Sequence, residues 1–60
     1  MCLATVYKNT DDSIILRNVS KIELDGDKII FRDILGDEKT VSGKLLMADL
    51  ANGVVKVACD

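Results

Sequence analysis

Short apolar runs alternate with polar, glycine-marked turns along the whole chain. The four glycines, at positions 26, 36, 43 and 53, each fall between apolar runs, and proline is absent. Turn signals spaced this closely are typical of short β-strands joined by tight hairpins. The pattern predicts strands at 2–8, 13–16, 19–25, 28–34, 38–41, 44–51 and 53–58.

The turn at Gly26-Asp27 also predicts how its two strands pair. A two-residue loop there sets Leu24 opposite Ile29 and Ile22 opposite Phe31. Moving the loop back by one residue would set Leu24 opposite a charged side chain, and register follows the apolar match. Glycine at the first loop position also suits a type II′ turn. We therefore expect a hairpin with this register.

The segment 44–51 is ambiguous, because its leucines, alanines and methionine favour a helix by propensity. Asn52-Gly53 follows it directly, and this dipeptide is a strong signal for a two-residue hairpin loop. Such a hairpin would set Leu50 opposite Val55. We therefore predict a mainly extended segment, with one helical turn as the alternative.

Six or seven short antiparallel strands are too many for a wide, open sandwich in a chain of 60 residues. A strongly bent sheet that closes on itself buries more of these strands and hides their edges. The predicted fold is therefore all-β, a small barrel of the SH3 or Sm kind with glycines at its bends. Residues 1–60 are expected to form this single domain.

The chain is short enough to need additional stabilisation. A domain of this length buries only about 60% of the surface that its unfolded chain exposes, and small scaffolds usually add disulfides, a metal or a partner subunit. Two cysteines are too few for a disulfide-rich fold, and neither a signal peptide nor an apolar run of membrane-spanning length is visible. We therefore expect a cytoplasmic homodimer with no membrane partner.

Charge and composition argue against nucleic-acid binding and against catalysis. The formal net charge is −2, and Tyr7 and Phe31 are the two aromatic residues, so the chain offers little attraction for phosphates and few stacking platforms. A small RNA-binding barrel is kept as the alternative function. Histidine is absent, which removes the Ser-His and Cys-His pairs of nucleophilic enzymes. The chain is therefore not expected to be an enzyme.

Cys2 follows Met1 at the start of the sequence, where a thiol can chelate a metal together with backbone nitrogen. The α-amine of Met1, the deprotonated amide of Cys2 and the Cys2 thiolate can close two fused five-membered rings around one ion. If Met1 is removed, the amine and thiolate of Cys2 close one such ring. Nitrogen and thiolate donors favour a planar four-coordinate ion, so Ni(II) fits. Cys2 of a second chain could fill the remaining positions.

Plainer interpretations compete with this site. Cys2 could be a small buried residue of the first strand, because free cysteine is among the most buried residue types. Cys59 is expected at the end of the last strand, and it could join a metal site only if the first and last strands are adjacent and in register. The acidic residues at 11–12, 25–27 and 37–38 are typical of turns rather than of metal sites.

The Met-Cys-Leu-Ala start, leading into a β-strand, resembles the CooT family of small nickel-binding proteins. The resemblance extends through the acidic turn at 11–12, the Asp-Gly-Asp turn at 25–27, the Gly-Asp-Glu turn at 36–38 and the final Gly-Val-Val strand. It implies a homodimer with a bent-sheet barrel that assists nickel insertion into carbon monoxide dehydrogenase. It also implies that Cys2 is the cysteine that binds Ni(II).

Overall fold

The computed structural model describes residues 3–59, which form five β-strands closed into a barrel. The strands are β1 (Ala4–Lys8), β2 (Ile14–Asp25), β3 (Lys28–Asp33), β4 (Glu38–Asp49) and β5 (Val54–Cys59). Each strand pairs with the next one along the chain, and β5 pairs with β1. The predicted all-β barrel is therefore confirmed. No helix in residues 3–59 is long and apolar enough to cross a membrane.

The number of strands is smaller than predicted, because two long strands bend instead of ending. β2 pairs with β1 through its first half and with β3 through its second half. β4 likewise pairs with β3 through residues 38–42 and with β5 through residues 43–49. The breaks predicted near Asn18 and Gly43 are the corners where these strands change neighbours, and the φ angles of these two residues are 59° and 152°.

The strand pair that closes the barrel is parallel, whereas the other pairs are antiparallel. Five strands that reverse direction at every turn leave the first and the last pointing the same way. The register of this parallel pair aligns Thr5 with Val54 and Lys8 with Val57. The start of β1 therefore lies beside the start of β5.

The inward-facing side chains of three short strands fill most of the barrel interior. The buried apolar residues are Ala4 and Val6 of β1, Val19 of β2, Ile29 and Phe31 of β3, and Val55 and Val57 of β5. Because alternate side chains of a strand lie on the same face, β1, β3 and β5 each turn one face inward. Burying one aliphatic or aromatic side chain of this size contributes about 1.5–3 kcal/mol.

The predicted hairpin between β2 and β3 is confirmed. Leu24 lies opposite Ile29, and Ile22 lies opposite Phe31. Gly26 has a φ angle of 61°, which is the left-handed conformation that a type II′ turn requires at its first loop position. The apolar match and the turn glycine therefore determine this register together.

The hairpin between β4 and β5 has a longer loop than predicted. Ala48 rather than Leu50 lies opposite Val55, and residues 50–53 form the turn. The Asp49 carboxylate accepts hydrogen bonds from the backbone and side-chain nitrogens of Asn52, at 3.3 and 2.8 Å. These bonds close a wider turn than the Asn-Gly dipeptide alone would make. The two-residue loop was therefore wrong, while the extended conformation is confirmed for 44–49.

Candidate functional site

Contacts with β2 and with the 50–53 turn hold the start of β1, which follows the predicted metal ligands in the sequence. Met1-Cys2 lies outside the described residues, so its ligation of a metal stays a prediction. Ala4 is 4% exposed and pairs with Val19 of β2. The Thr5 N–H donates a hydrogen bond of 2.8 Å to the Gly53 carbonyl oxygen. β1 is therefore fixed on both sides from its first residues onward.

Gly53 brings the 50–53 turn against the start of the described chain. Its φ angle is +68°, and a Cβ atom built on it would lie 2.8 Å from the Leu3 carbonyl oxygen. Any side chain here would therefore be strained by the backbone conformation and would also crowd a neighbouring backbone atom. Glycine is what lets this turn approach Leu3 so closely.

We expect the Asp49 cap of the same turn to make stability depend on pH. Hydrogen bonds from the Asn52 side-chain amide and then from its backbone N–H hold the pKa of Asp49 below its ordinary value of 3.8. A pKa lowered by folding stabilises the fold above the ordinary value, and that contribution is lost as pH falls through the lowered value. Asp49→Ala should therefore lower the free energy of unfolding at neutral pH. At a pH well below 3.8, the same substitution should have a smaller effect.

Urea unfolding followed by far-UV circular dichroism measures this difference at the two pH values. An equal loss of stability at neutral and at strongly acidic pH would contradict a role for the ionised Asp49 carboxylate.

An apolar groove borders the start of β1. It has a volume of about 220 Å³ and is lined by Ala4, Val19, Ser20, Lys21, Ile22 and Leu50. The groove lies where β2 bends and where the 50–53 turn begins. It therefore belongs to the same part of the barrel as the start of β1.

Cys59 lies at the other end of the barrel from the start of β1. It is a free, partly buried thiol at the end of β5, opposite Gly43. Because β5 runs parallel to β1, Val54 rather than Cys59 lies beside Thr5. The separation of Val54 and Cys59 along the strand is about 17 Å at 3.3 Å per residue. The first and last strands are adjacent, but their register does not bring Cys59 to the start of β1.

The acidic turns contain carboxylates that cap backbone amides. The Asp11 carboxylate accepts hydrogen bonds from the Ser13 hydroxyl at 2.7 Å and from the Ser13 backbone N–H at 3.0 Å, and these bonds lower the pKa of Asp11. Asp33 Oδ1 accepts from the backbone N–H groups of Leu35 and Asp37. Within residues 3–59, no group of three or more His, Cys, Asp or Glu side chains is placed to hold a metal ion.

Two of these caps were missed in the sequence. Asp33 and Asp49 each lie at or near a strand end, a few residues before the amides that they cap. Aspartate in that position is the signal that could have found them, because its carboxylate accepts from backbone N–H groups two to four residues on. From the sequence, these two turns had instead been assigned to Gly36-Asp37 and Asn52-Gly53.

The two aromatic side chains do not form a common stacking surface. Phe31 is fully buried in the barrel interior, whereas Tyr7 is only partly buried on β1. Tyr7 borders a shallow depression with Lys56, whose ammonium lies 3.6 Å from the Asp12 carboxylate. The RNA-binding alternative therefore gains no support from the positions of these aromatic residues.

Comparison with known proteins identifies the family of the chain. The sequence matches the family described as CO dehydrogenase accessory protein CooT over residues 1–58. This chain belongs to the CooT family. The matched range includes Met1-Cys2, and CooT proteins are accessory proteins by their description. No curated protein sequence matches the chain.

The CooT assignment agrees with the fold. The solved structure of a protein assigned as CooT from Carboxydothermus hydrogenoformans superposes with a TM-score of 0.86 at 18% sequence identity, covering 98% of each chain. At this identity the likeness shows a shared fold. The predicted membership of the CooT family is therefore confirmed, and the barrel has the same fold as that protein.

Proposed function

We propose that this CooT-family chain binds Ni(II) as cargo through Cys2 and the Met1 amine, and supplies it during maturation of carbon monoxide dehydrogenase. We place the protein in the cytoplasm as a homodimer. The observation that carries the proposal is the family match, which names CO dehydrogenase and spans Met1-Cys2. The choice of nickel comes from the donor atoms that this dipeptide offers.

Cys2 and Met1 provide a soft thiolate beside nitrogen donors. The thiolate, the Cys2 amide nitrogen and the Met1 amine form fused five-membered chelate rings, and a planar four-coordinate ion suits such a set. All three donors must lose protons before they bind, so affinity rises with pH. The chemistry therefore favours Ni(II) over hard cations, which take oxygen ligands.

The barrel supplies a fixed base for this short segment. Hydrogen bonding of Thr5 to Gly53 and burial of Ala4 hold the first residues of β1. Rigid elements position metal donors better than mobile loops do. Cys2 precedes this fixed strand by two residues in the sequence, and that short length of chain limits how far from the barrel a metal bound there could lie.

An incomplete donor set suits a protein that must release its metal. One chain offers three donors, or two if Met1 is removed, so a planar ion keeps at least one open position. Cys2 of a second chain could occupy that position in the homodimer. A ligand from the client enzyme that displaces this second Cys2 would start metal transfer, because ligand exchange needs a coordination position that an incoming donor can attack.

A Ni(II) titration of reduced, untagged protein tests the proposal. We expect a thiolate-to-nickel charge-transfer band in the near-UV that saturates at a fixed ratio of metal to protein. One nickel per two chains would support a site shared between subunits, and one per chain would support a self-sufficient start of each chain. Absence of both the band and any heat of binding, with the fold intact by circular dichroism, would overturn nickel binding.

The client is tested separately, by activation of nickel-free carbon monoxide dehydrogenase. Nickel-loaded protein should activate the enzyme in the presence of a chelator that removes free Ni(II). Activation no faster than with the same concentration of nickel-chelator complex would contradict delivery.

A further inference from the structure

Asn52 and Gly53 lie together in the turn that joins β4 to β5. Residues 50–53 of this turn all lie outside the strands, and Asn52 is exposed to solvent. Asparagine is one of the thermally labile residue types, because its side-chain amide can be lost by reaction with the next backbone nitrogen. A following glycine favours this reaction, since it has no side chain and leaves the backbone free to adopt many conformations.

The reaction forms one bond within the chain and releases ammonia. The Gly53 backbone nitrogen loses its proton to hydroxide and attacks the side-chain carbonyl carbon of Asn52. The Asn52 side-chain nitrogen leaves as ammonia, and a five-membered succinimide ring remains. Water then opens the ring at one of its two carbonyls. Opening gives aspartate or, where the backbone now runs through the former side chain, isoaspartate.

Access to the attacking nitrogen distinguishes Asn52 from the two other asparagines of the chain. Asn9 and Asn18 are also exposed, but threonine follows the first and valine follows the second. A β-branched residue carries two heavy atoms on its Cβ, and these restrict and crowd the adjacent backbone. Gly53 presents no such obstacle, so we expect Asn52 to react first.

The amide nitrogen that leaves in this reaction is one of the two donors that close the turn. Asn52 Nδ2 donates a 2.8 Å hydrogen bond to Asp49 Oδ2, and the Asn52 backbone N–H donates to Oδ1 at 3.3 Å. Either product lacks Nδ2 and carries a new carboxylate at residue 52. A favourable hydrogen bond is therefore replaced by repulsion between two nearby negative charges. Isoaspartate also adds one methylene to the backbone ahead of Gly53.

The same turn holds the start of β1 through its last residue. The Gly53 carbonyl oxygen accepts the 2.8 Å hydrogen bond from the Thr5 N–H. Gly53 also approaches the Leu3 carbonyl oxygen so closely that a Cβ atom built on it would lie only 2.8 Å away. A change in the backbone of the turn therefore acts directly on the bond that anchors β1.

We propose that Asn52 is a deamidation site, and that its conversion to aspartate or isoaspartate loosens the start of β1. The ammonia is lost to solvent, so the change accumulates with the age of the protein. The modification belongs to the chain itself and does not depend on nickel. Its consequence for metal delivery, a less firmly held base for the residues that precede β1, is the one step that rests on the proposed function.

Mass spectrometry of folded protein kept at mildly alkaline pH tests the site, with fresh protein digested in parallel. Trypsin cleaves after lysine and arginine, which places the three asparagines in separate peptides, 9–17, 18–21 and 45–56. Peptide 45–56 should convert from amide to acid at least about 10-fold faster than the others, which requires a barrier lower by about 1.4 kcal/mol. Asn52→Gln should prevent this conversion, because glutamine would have to close a larger ring. Equal rates in the three peptides, or an unchanged peptide 45–56, would overturn the site.

Hydrogen exchange at the Thr5 amide tests the effect on β1, without metal and with the fold checked by circular dichroism. Exchange should be at least about 10-fold faster in aged protein and in Asn52→Asp, which reproduces one product, because local opening sets the exchange rate. Asn9→Asp is the matched control, since it makes the same change directly after the other end of β1, and it should leave Thr5 exchange unchanged. Unchanged exchange in aged protein and in Asn52→Asp, or an equal effect of Asn9→Asp, would overturn the loosening of β1. A failed nickel titration would leave both of these measurements unaffected.

Discussion

Gly43→Ala should remove a large part of the stability of the barrel. A Cβ atom built on Gly43 would lie 1.9 Å from the Ala58 carbonyl oxygen, and the φ angle of +152° adds backbone strain. The crowded atom belongs to the backbone of β5, so no flexible side chain can move aside. We expect a loss of about 4 kcal/mol or more, against a total of about 3–9 kcal/mol for a domain of this size at 0.05–0.15 kcal/mol per residue.

Gly36→Ala is the matched control for this substitution. Gly36 also has a left-handed backbone, with φ of +92°, but a Cβ atom built on it meets nothing within 4 Å. It should cost only about 1–2 kcal/mol, the penalty for a left-handed L-residue. Urea unfolding of both variants at one protein concentration gives the comparison. Equal unfolding midpoints would show that the close approach of β4 to β5 does not determine stability.

The expected effect of Gly43→Ala follows from its place at a corner of the barrel. Gly43 lies opposite Cys59 in the β4–β5 pair, and its N–H bonds to Asp27. This corner sends the second half of β4 along β5, and the turn between those strands accepts the hydrogen bond from Thr5. The same glycine therefore supports both the closure of the barrel and the anchoring of β1.

Local sequence signals predicted the hairpin between β2 and β3 well. The apolar match of Leu24 with Ile29 and the turn glycine at position 26 both act over a few residues, and they indicate the same register. Agreement between independent local signals is what makes such a prediction secure. The sequence also predicted a change in the chain near Asn18 and Gly43, but these residues are bends within β2 and β4 rather than strand ends.

Other features depend on contacts between residues distant in sequence, and they could not be predicted locally. A glycine that ends a strand and a glycine that bends a strand look alike in sequence. They differ in whether the residues after the glycine pair with another strand, and that strand can be distant in sequence. The Asp49 carboxylate, rather than the Asn-Gly dipeptide, determines the width of the β4–β5 turn. The exposure of Leu24 and Leu45 also needed the structure, since their apolar side chains alone predicted burial.

The candidate site likewise has one part that the sequence predicts and another that only the structure provides. The donor atoms of Cys2 were proposed from sequence, because their spacing within one dipeptide allows a chelate, and their binding of a metal stays a prediction. The structure adds the fixed start of β1, and it separates Cys59 from that start through the parallel register of β5. That separation makes the two cysteines distinguishable by experiment.

Cys2→Ser should abolish tight Ni(II) binding, with affinity falling by at least about 100-fold. A serine hydroxyl stays protonated at neutral pH and offers a harder oxygen in place of a soft thiolate. Even changes one shell beyond a metal cost about 10–100-fold in affinity, so loss of a direct ligand should cost more. The described core begins at Ala4, and we therefore expect the barrel to remain folded. Near-UV absorbance and calorimetric titration measure the loss.

Cys59→Ser is the control, because it removes the other thiol while leaving Cys2 in place. It should keep the charge-transfer band and the affinity of the wild type. Extending the chain by two residues ahead of Met1 tests the amine, and it should weaken binding without removing the thiolate band. Retained affinity in Cys2→Ser, or an equal loss in Cys59→Ser, would move the metal away from the start of β1. The two serine variants together therefore decide whether nickel binding belongs to the residues that precede β1.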